Sequence, residues 1–97
     1  MYARVITVHT QPGKIAEATA VYRDSILPAA RQQKGFHNGF LLTDAVTGKG
    51  VSVTLWDTEA DMKAGEASGY LQQQLGKMTN LLASPPQREA LVVSAKS

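Results

Sequence analysis

The stretch Val51-Ser52-Val53-Thr54-Leu55-Trp56-Asp57-Thr58-Glu59-Ala60 decides the fold. Its first six residues alternate, Val51, Val53 and Leu55 against Ser52, Thr54 and Trp56, which is the period-two pattern of a strand whose sides face different surroundings. The strand ends sharply. Thr58 followed by Asp61 has the spacing of a helix cap, and Glu59 and Asp61 place negative charge where a new helix has its positive end. A strand therefore runs within two residues into a helix that begins near Glu59.

Reading upstream, Thr47-Gly48-Lys49-Gly50 supplies a turn, and Phe36 to Asp44 form the other strand of a hairpin. Phe36, Asn38, Phe40 and Leu42 fall on one side of it, His37, Gly39, Leu41 and Thr43 on the other, although a bulge at Asn38-Gly39 would reverse the assignment. Before that hairpin Ile15, Ala18, Tyr22, Ile26 and Ala29 or Ala30 recur at intervals of three and four, while Glu17, Arg23 and Asp24 face away, so the segment is an amphipathic helix. Pro28 predicts a kink near Ile26 or a restart at Pro28, and Lys34-Gly35 predicts the helix end. Ala3 to Thr10, rich in β-branched residues, is a first strand stopped by Gln11-Pro12-Gly13.

Downstream, the second helical segment is interrupted at Ser68-Gly69. It resumes with a stripe of Leu71, Leu75, Met78 and Leu82 that reads as core, and stops at Ser84-Pro85-Pro86. Glu89 to Ala95 is a last strand. The order strand, helix, two strands, helix, strand gives one α+β domain over residues 1–97, a ferredoxin-like βαββαβ antiparallel sheet with its helices on one face. Both sides of the first, third and last strands are largely apolar, so the helix-free face is expected to be covered as well. A second copy of the chain would cover it, which predicts a homodimer.

Composition narrows the function classes. In 97 residues, 43% are hydrophobic and 19% charged, with a net charge of +2 and no basic run, so nucleic-acid binding is not expected. There is no cysteine, which removes disulfides and thiolate metal sites and makes a reducing, cytoplasmic setting the simpler expectation. Met1 to Val5 run straight into strand-like sequence, and no apolar run approaches the ~20 residues of a membrane span, so neither secretion nor membrane insertion is expected.

Pro28 late in the first helix, Gly35-Phe36 opening the second strand, and the stretch from Val51 to Ala60 together resemble the antibiotic-biosynthesis-monooxygenase-type family of dimeric α+β barrels. The resemblance spans nearly the whole chain. It implies a pocket between each sheet and its helices and, for the oxygenases of the family, chemistry without a cofactor on electron-rich phenols, quinols or polyketide-like anthrones, which reduce oxygen themselves once deprotonated. Such a pocket needs apolar walls, a base or hydrogen bond for the phenol, and a donor for the developing negative charge.

Four residues are the catalytic candidates. Trp56 ends its strand where the ring can close a pocket and the indole N–H can donate. Tyr70 stands where the resemblance puts a His in many relatives; a phenol with an ordinary pKa near ~10 is a donor at neutral pH rather than a base. Histidine is the residue type that changes protonation near neutrality, which makes His37 and His9 the candidate bases. Tyr22, Asn38 and Phe40 are candidate substrate-binding residues. For several of them a packing or surface role competes: Trp56 joins strand to helix, Tyr70 can serve as packing alone, Tyr22 lies on the apolar stripe, and both histidines sit on strands of uncertain face. Asp57, Glu59 and Asp61 are explained by helix capping, so no metal site is expected.

The leading expectation is a cofactor-free monooxygenase of a small aromatic, quinol or polyketide-like compound. The competing one is a non-enzymatic dimer of the same fold that binds a small ligand or regulates. Haem degradation is disfavoured because the helix after Trp56 contains no His, the residue by which haem-degrading relatives hold iron there, and no motif supports lactone isomerisation.

Overall fold

Residues 1–97 are described by a computed structural model of the chain. The first strand, β1 (Tyr2–His9), lies inside a four-stranded antiparallel sheet of order β2-β3-β1-β4, with β2 at Phe36–Asp44, β3 at Lys49–Trp56 and β4 at Gln87–Val92. Its neighbours are aligned so that Tyr2 opposes Trp56 on one side and Val92 on the other. This is the expected ferredoxin-like arrangement. The last strand is shifted, beginning two residues earlier than Glu89 and ending at Val92 rather than Ala95. Its hydrogen-bonded length is set by β1, which offers partners only from Tyr2 to Thr7.

The first helix is continuous. It opens as α1 (Ile15–Val21), widens into a single π turn over Tyr22–Ile26, and closes as α2 (Leu27–Ala30). Pro28 explains the widening: it has no N–H to bond one turn back and its ring presses on that turn, and the chain relieves the clash by a wider i to i+5 bond from the Leu27 N–H to the Tyr22 carbonyl. A kink or restart is thus replaced by a π turn that begins at Tyr22, whose hydroxyl reaches Phe40 and Ser52 of the sheet. The helix ends at Ala30, before Lys34-Gly35. Gly35 occupies the left-handed region at φ +81°, and a Cβ there would lie 2.7 Å from the Asp61 Cβ, so the helix-to-strand turn requires glycine.

Thr58 caps α3 (Glu59–Ala67), its hydroxyl accepting from the Asp61 N–H at 3.1 Å. Gly69, at φ +84°, breaks the segment as expected, and α4 (Tyr70–Gly76) follows. The stripe beyond Gly76 continues with buried Met78 into a short 3-10 turn, Thr79–Leu81, in which Leu81 is buried; Leu82, which follows it, is only half-buried.

One irregularity fixes the faces of β2. Phe36 opposes Trp56 and Asn38 opposes Leu55, leaving His37 as the extra residue of a bulge. The bulge falls at His37, not Asn38-Gly39. Phe36 is therefore on the side of Gly39 and Leu41, and Asn38, Phe40 and Leu42 are on the opposite side, so the alternation read from sequence is broken after its first member. Arg4, Ile6 and Val8 of β1, Leu41 of β2 and Ser52, Thr54 and Trp56 of β3 face the helices. Val5, Phe40, Leu42, Val53 and Leu91 share the helix-free face.

Candidate active site

A cavity of about 60 Å3 lies between the helix-facing side of the sheet and the π turn, α2 and α4. Its walls are largely apolar, from Ile6, Val8, Leu41, Leu71, Leu75 and Met78 among others. The expected core stripe is thus also the lining of a cavity. This volume holds a few water molecules, so an aromatic ring enters only as flexible side chains such as Met78 and Leu75 give way.

Trp56 forms one end. It is 1% exposed, its Nε1 donates to Thr54 Oγ1 at 3.0 Å, and Phe36 meets it edge-on with ring centroids 5.4 Å apart. The guanidinium of Arg4 lies 5.6 Å from the ring centroid, within reach of a cation–π attraction. Arg4 is itself only 4% exposed and donates to the Met62 carbonyl. Burial pulls its pKa below the ordinary value, opposed chiefly by the charge of Glu66 and by Tyr70. The guanidinium remains a cation under all these influences.

Tyr22 and Tyr70 approach from the helices. The Tyr22 hydroxyl is 2.9 Å from Ser52 Oγ and donates to the Phe40 carbonyl at 3.3 Å. Tyr70 is half-buried with its ring against Gly65, where a Cβ would come within 3.1 Å. Burial raises the pKa of both phenols, so each keeps its proton at neutral pH and offers a donor rather than a base. One turn beyond Tyr70, Gln74 is 7% exposed, and its buried Oε1 has no hydrogen-bond partner.

The raised phenol pKa has a stability consequence with a definite sign. Where the folded pKa exceeds the unfolded value of about 10, the stabilisation is complete below pH ~10 and is lost as pH climbs through the folded value. Tyr22→Phe is expected to cost about 1 kcal/mol at pH 8 through its lost hydrogen bonds and to flatten the fall in stability between pH 9 and 11. Urea unfolding at stepped pH measures both. Parallel alkaline curves for variant and parent would refute the assignment.

Of the seven residues singled out from the sequence, Trp56, Tyr70 and Tyr22 line the cavity and the other four do not. His37 projects from the bulge, half-exposed and in contact with Asp57, beside a shallow cleft formed with Leu27, Arg31 and Asn38. His9 is exposed at the end of β1, opposite Lys49. Asn38 and Phe40 are turned to the helix-free face by the bulge. Arg4, Gln74, Ser52 and Thr54, which line the cavity, were not among the candidates. Position 4 shares its strand side with Ile6 and Val8, and position 74 falls inside the Leu71 to Met78 stripe, so both were readable as inward-facing polar residues. No three of the His, Asp and Glu side chains converge on a point that could hold a metal ion, and no helix is long and apolar enough to cross a membrane.

The architecture is an antibiotic-biosynthesis-monooxygenase-like α+β fold. Neither a family model nor a curated protein matches the chain, whereas solved structures match it over nearly its full length. A monooxygenase from the gene ActVA-Orf6 of Streptomyces coelicolor, in complex with nanaomycin D, superposes with a TM-score of 0.83 at 14% identity, covering 99% of this chain and 89% of that one. SnoaB, a cofactor-independent oxygenase from Streptomyces nogalater, gives 0.80 at 14% identity over 98% and 94%. A protein of unknown function from Nitrosomonas europaea gives 0.77 at 24% identity over 99% and 91%.

Proposed function

We propose that the chain is a cofactor-free monooxygenase that oxidises a small electron-rich phenol, quinol or anthrone with molecular oxygen, working as a homodimer. The observation that carries the reading is the apolar cavity between sheet and helices, closed by Trp56 and carrying Tyr70 and Arg4 on its wall, in a fold shared with an oxygenase described as cofactor-independent. The absence of cysteine fits a cytoplasmic setting.

The chemistry needs little from the protein. An anthrone-like substrate that loses a proton becomes electron-rich enough to pass electrons to oxygen; its methylene becomes a carbonyl, one oxygen atom stays in the product and the other leaves as water. The substrate is oxidised and oxygen is the oxidant, with no further reductant. Arg4 stabilises the ionised oxygen of the substrate, and the protonated phenols of Tyr70 and Tyr22 donate to developing oxygen charge, in a space from which water is excluded. With both imidazoles outside the cavity, the proton is lost before or during binding without a histidine base. The rate then rises with the ionisation of the substrate rather than through pH 6 to 7.

Oxygen uptake by purified protein with a panel of anthrones and quinols tests this. The expected results are uptake above the buffer blank, a pH midpoint that moves with substrate acidity, and a loss of about tenfold or more in Tyr70→Phe if its donor acts in the transition state. Uptake no faster than the blank across the panel shifts the reading to a non-catalytic ligand-binding dimer. Uptake that needs added iron or haem contradicts the mechanism.

A further inference from the structure

The segments that cover the helix side of the sheet are held to it in different ways. The Tyr22 hydroxyl ties the first helix to Ser52 and Phe40, and Arg4 of β1 ties α3 by donating to the Met62 carbonyl. Beyond α4 the chain is pinned again: the Gln11 N–H donates to the Leu81 carbonyl at 2.8 Å and the Ala83 N–H to the His9 carbonyl at 2.7 Å. Between those pins no hydrogen bond joins α4 to the sheet. It rests there on apolar contact, Leu71 and Leu75 against Ile6 and Val8, and the fit is imperfect because Gln74 Oε1 is buried with no partner. An acceptor in that state destabilises the packed position relative to one in which water reaches it. Both ends of α4 have room to turn. Gly69 precedes it at φ +84° and Gly76 is its last residue, and neither has an atom within 4 Å of where a Cβ would lie.

We propose that α4 is a door: it swings outward about Gly69 and Gly76 to open the cavity, while the sheet, the first helix and α3 stay in place. The inference rests on the cavity being the ligand site and names the route by which a ligand reaches it. A closed space of about 60 Å3 takes no aromatic ring. Tyr70, Leu71, Gln74 and Leu75 of α4 form one of its walls, so moving this one short segment opens a whole side. The motion breaks no hydrogen bond to the sheet, and the partners that Gln74 gains from water offset part of the cost of exposing two leucines. It also leaves the helix-free face untouched, because α4 covers the other side of the sheet from Phe40 and Leu42. Local opening of this kind draws on the least tethered part of a fold.

Thiol labelling tests this without a ligand or turnover, since the chain has no cysteine of its own. Val8→Cys places a thiol on β1 beneath Leu71 of α4, and Ala18→Cys places one beneath the first helix; the parent residues are 7% and 2% exposed. Iodoacetamide is expected to label Val8→Cys at least about tenfold faster than Ala18→Cys in buffer, at a rate that barely changes in low urea, because a local opening exposes little surface. Labelling of Ala18→Cys is expected to climb about fivefold or more per molar urea, the dependence of a route through unfolding of the whole chain. Adding Gln74→Leu, which removes the orphaned acceptor at similar volume, is expected to slow labelling of Val8→Cys about tenfold. A Val8→Cys rate with the same steep urea dependence as Ala18→Cys overturns the proposal. So does a first-helix thiol that labels as fast in buffer, or a Val8→Cys rate that Gln74→Leu leaves unchanged. If Ala18→Cys does not fold, the urea dependence of Val8→Cys and hydrogen exchange in the parent still decide, with α4 amides expected to exchange at least about tenfold faster than those of α3. Local labelling of Val8→Cys with no oxygen uptake by the parent overturns the oxygenase reading and leaves the door standing; uptake with labelling only through unfolding does the reverse.

Discussion

Trp56→Ala is expected to cost about 3 to 5 kcal/mol, the range for emptying a buried Trp site. The site cannot collapse easily. The ring is 1% exposed, is met by Phe36 edge-on and by Arg4 across its face, and is tied by Nε1 to Thr54 on its own strand. Removing it takes away the attraction that steadies a buried cation and opens the end of an existing cavity, so two losses coincide. Domains of this size have a total stability of about 5 to 15 kcal/mol, and each kcal/mol corresponds to roughly 4–8 °C in the thermal midpoint. A fall of about 12 °C or more is the expected reading, followed by circular dichroism because the only tryptophan is gone. Trp56→Phe, which keeps the ring and gives up the N–H bond, is expected to lose less than half as much. A change below 1 kcal/mol in Trp56→Ala would mean that the ring does not seal the cavity.

The order of elements could be read from the sequence because each boundary carries its own chemistry: Thr58 and Asp61 at a helix start, Gly69 at a break, Gly35 at a turn only glycine can make. The faces of β2 could not. A single extra residue reverses every side chain after it, and the bulge lies at His37, one position from the Asn38-Gly39 pair that hinted at it. That one slip turned Asn38 and Phe40 from expected cavity residues into residues of the opposite face. Pro28 announced a disturbance of the first helix but not its form, because a π turn and a kink answer the same clash and only the packing of Tyr22 on Ser52 and Phe40 selects between them. The histidines drew notice as residue types suited to proton transfer, whereas Arg4 and Gln74 were not among the candidates although each falls on an inward-facing side of its strand or stripe. Their burial follows from β1 lying inside the sheet and from α4 packing on it, which are tertiary facts.

The helix-free face leads to the other large effect. Phe40, Leu42 and Leu91 are 43%, 55% and 50% exposed there in the single chain, beside Val5 and Val53, and a contiguous apolar sheet face of this kind marks an interaction surface. A second copy meets the requirement with no new chemistry, since a twofold axis lets the same patch cover itself. The parent protein is expected to scatter light as twice the 10.4 kDa chain mass. In Phe40→Glu combined with Leu42→Glu, the symmetry brings four carboxylates into one apolar interface. Burying charges without partners costs several kcal/mol, and each 1.4 kcal/mol is tenfold in Kd, so the dimer should weaken by roughly 1,000-fold or more and run at the 10.4 kDa mass. Both positions are on the edge strand and point away from the cavity, so circular dichroism should still report an α+β fold. A parent that is monomeric at micromolar concentration, or a double variant whose mass does not change, would remove the dimer and leave the apolar face without an explanation.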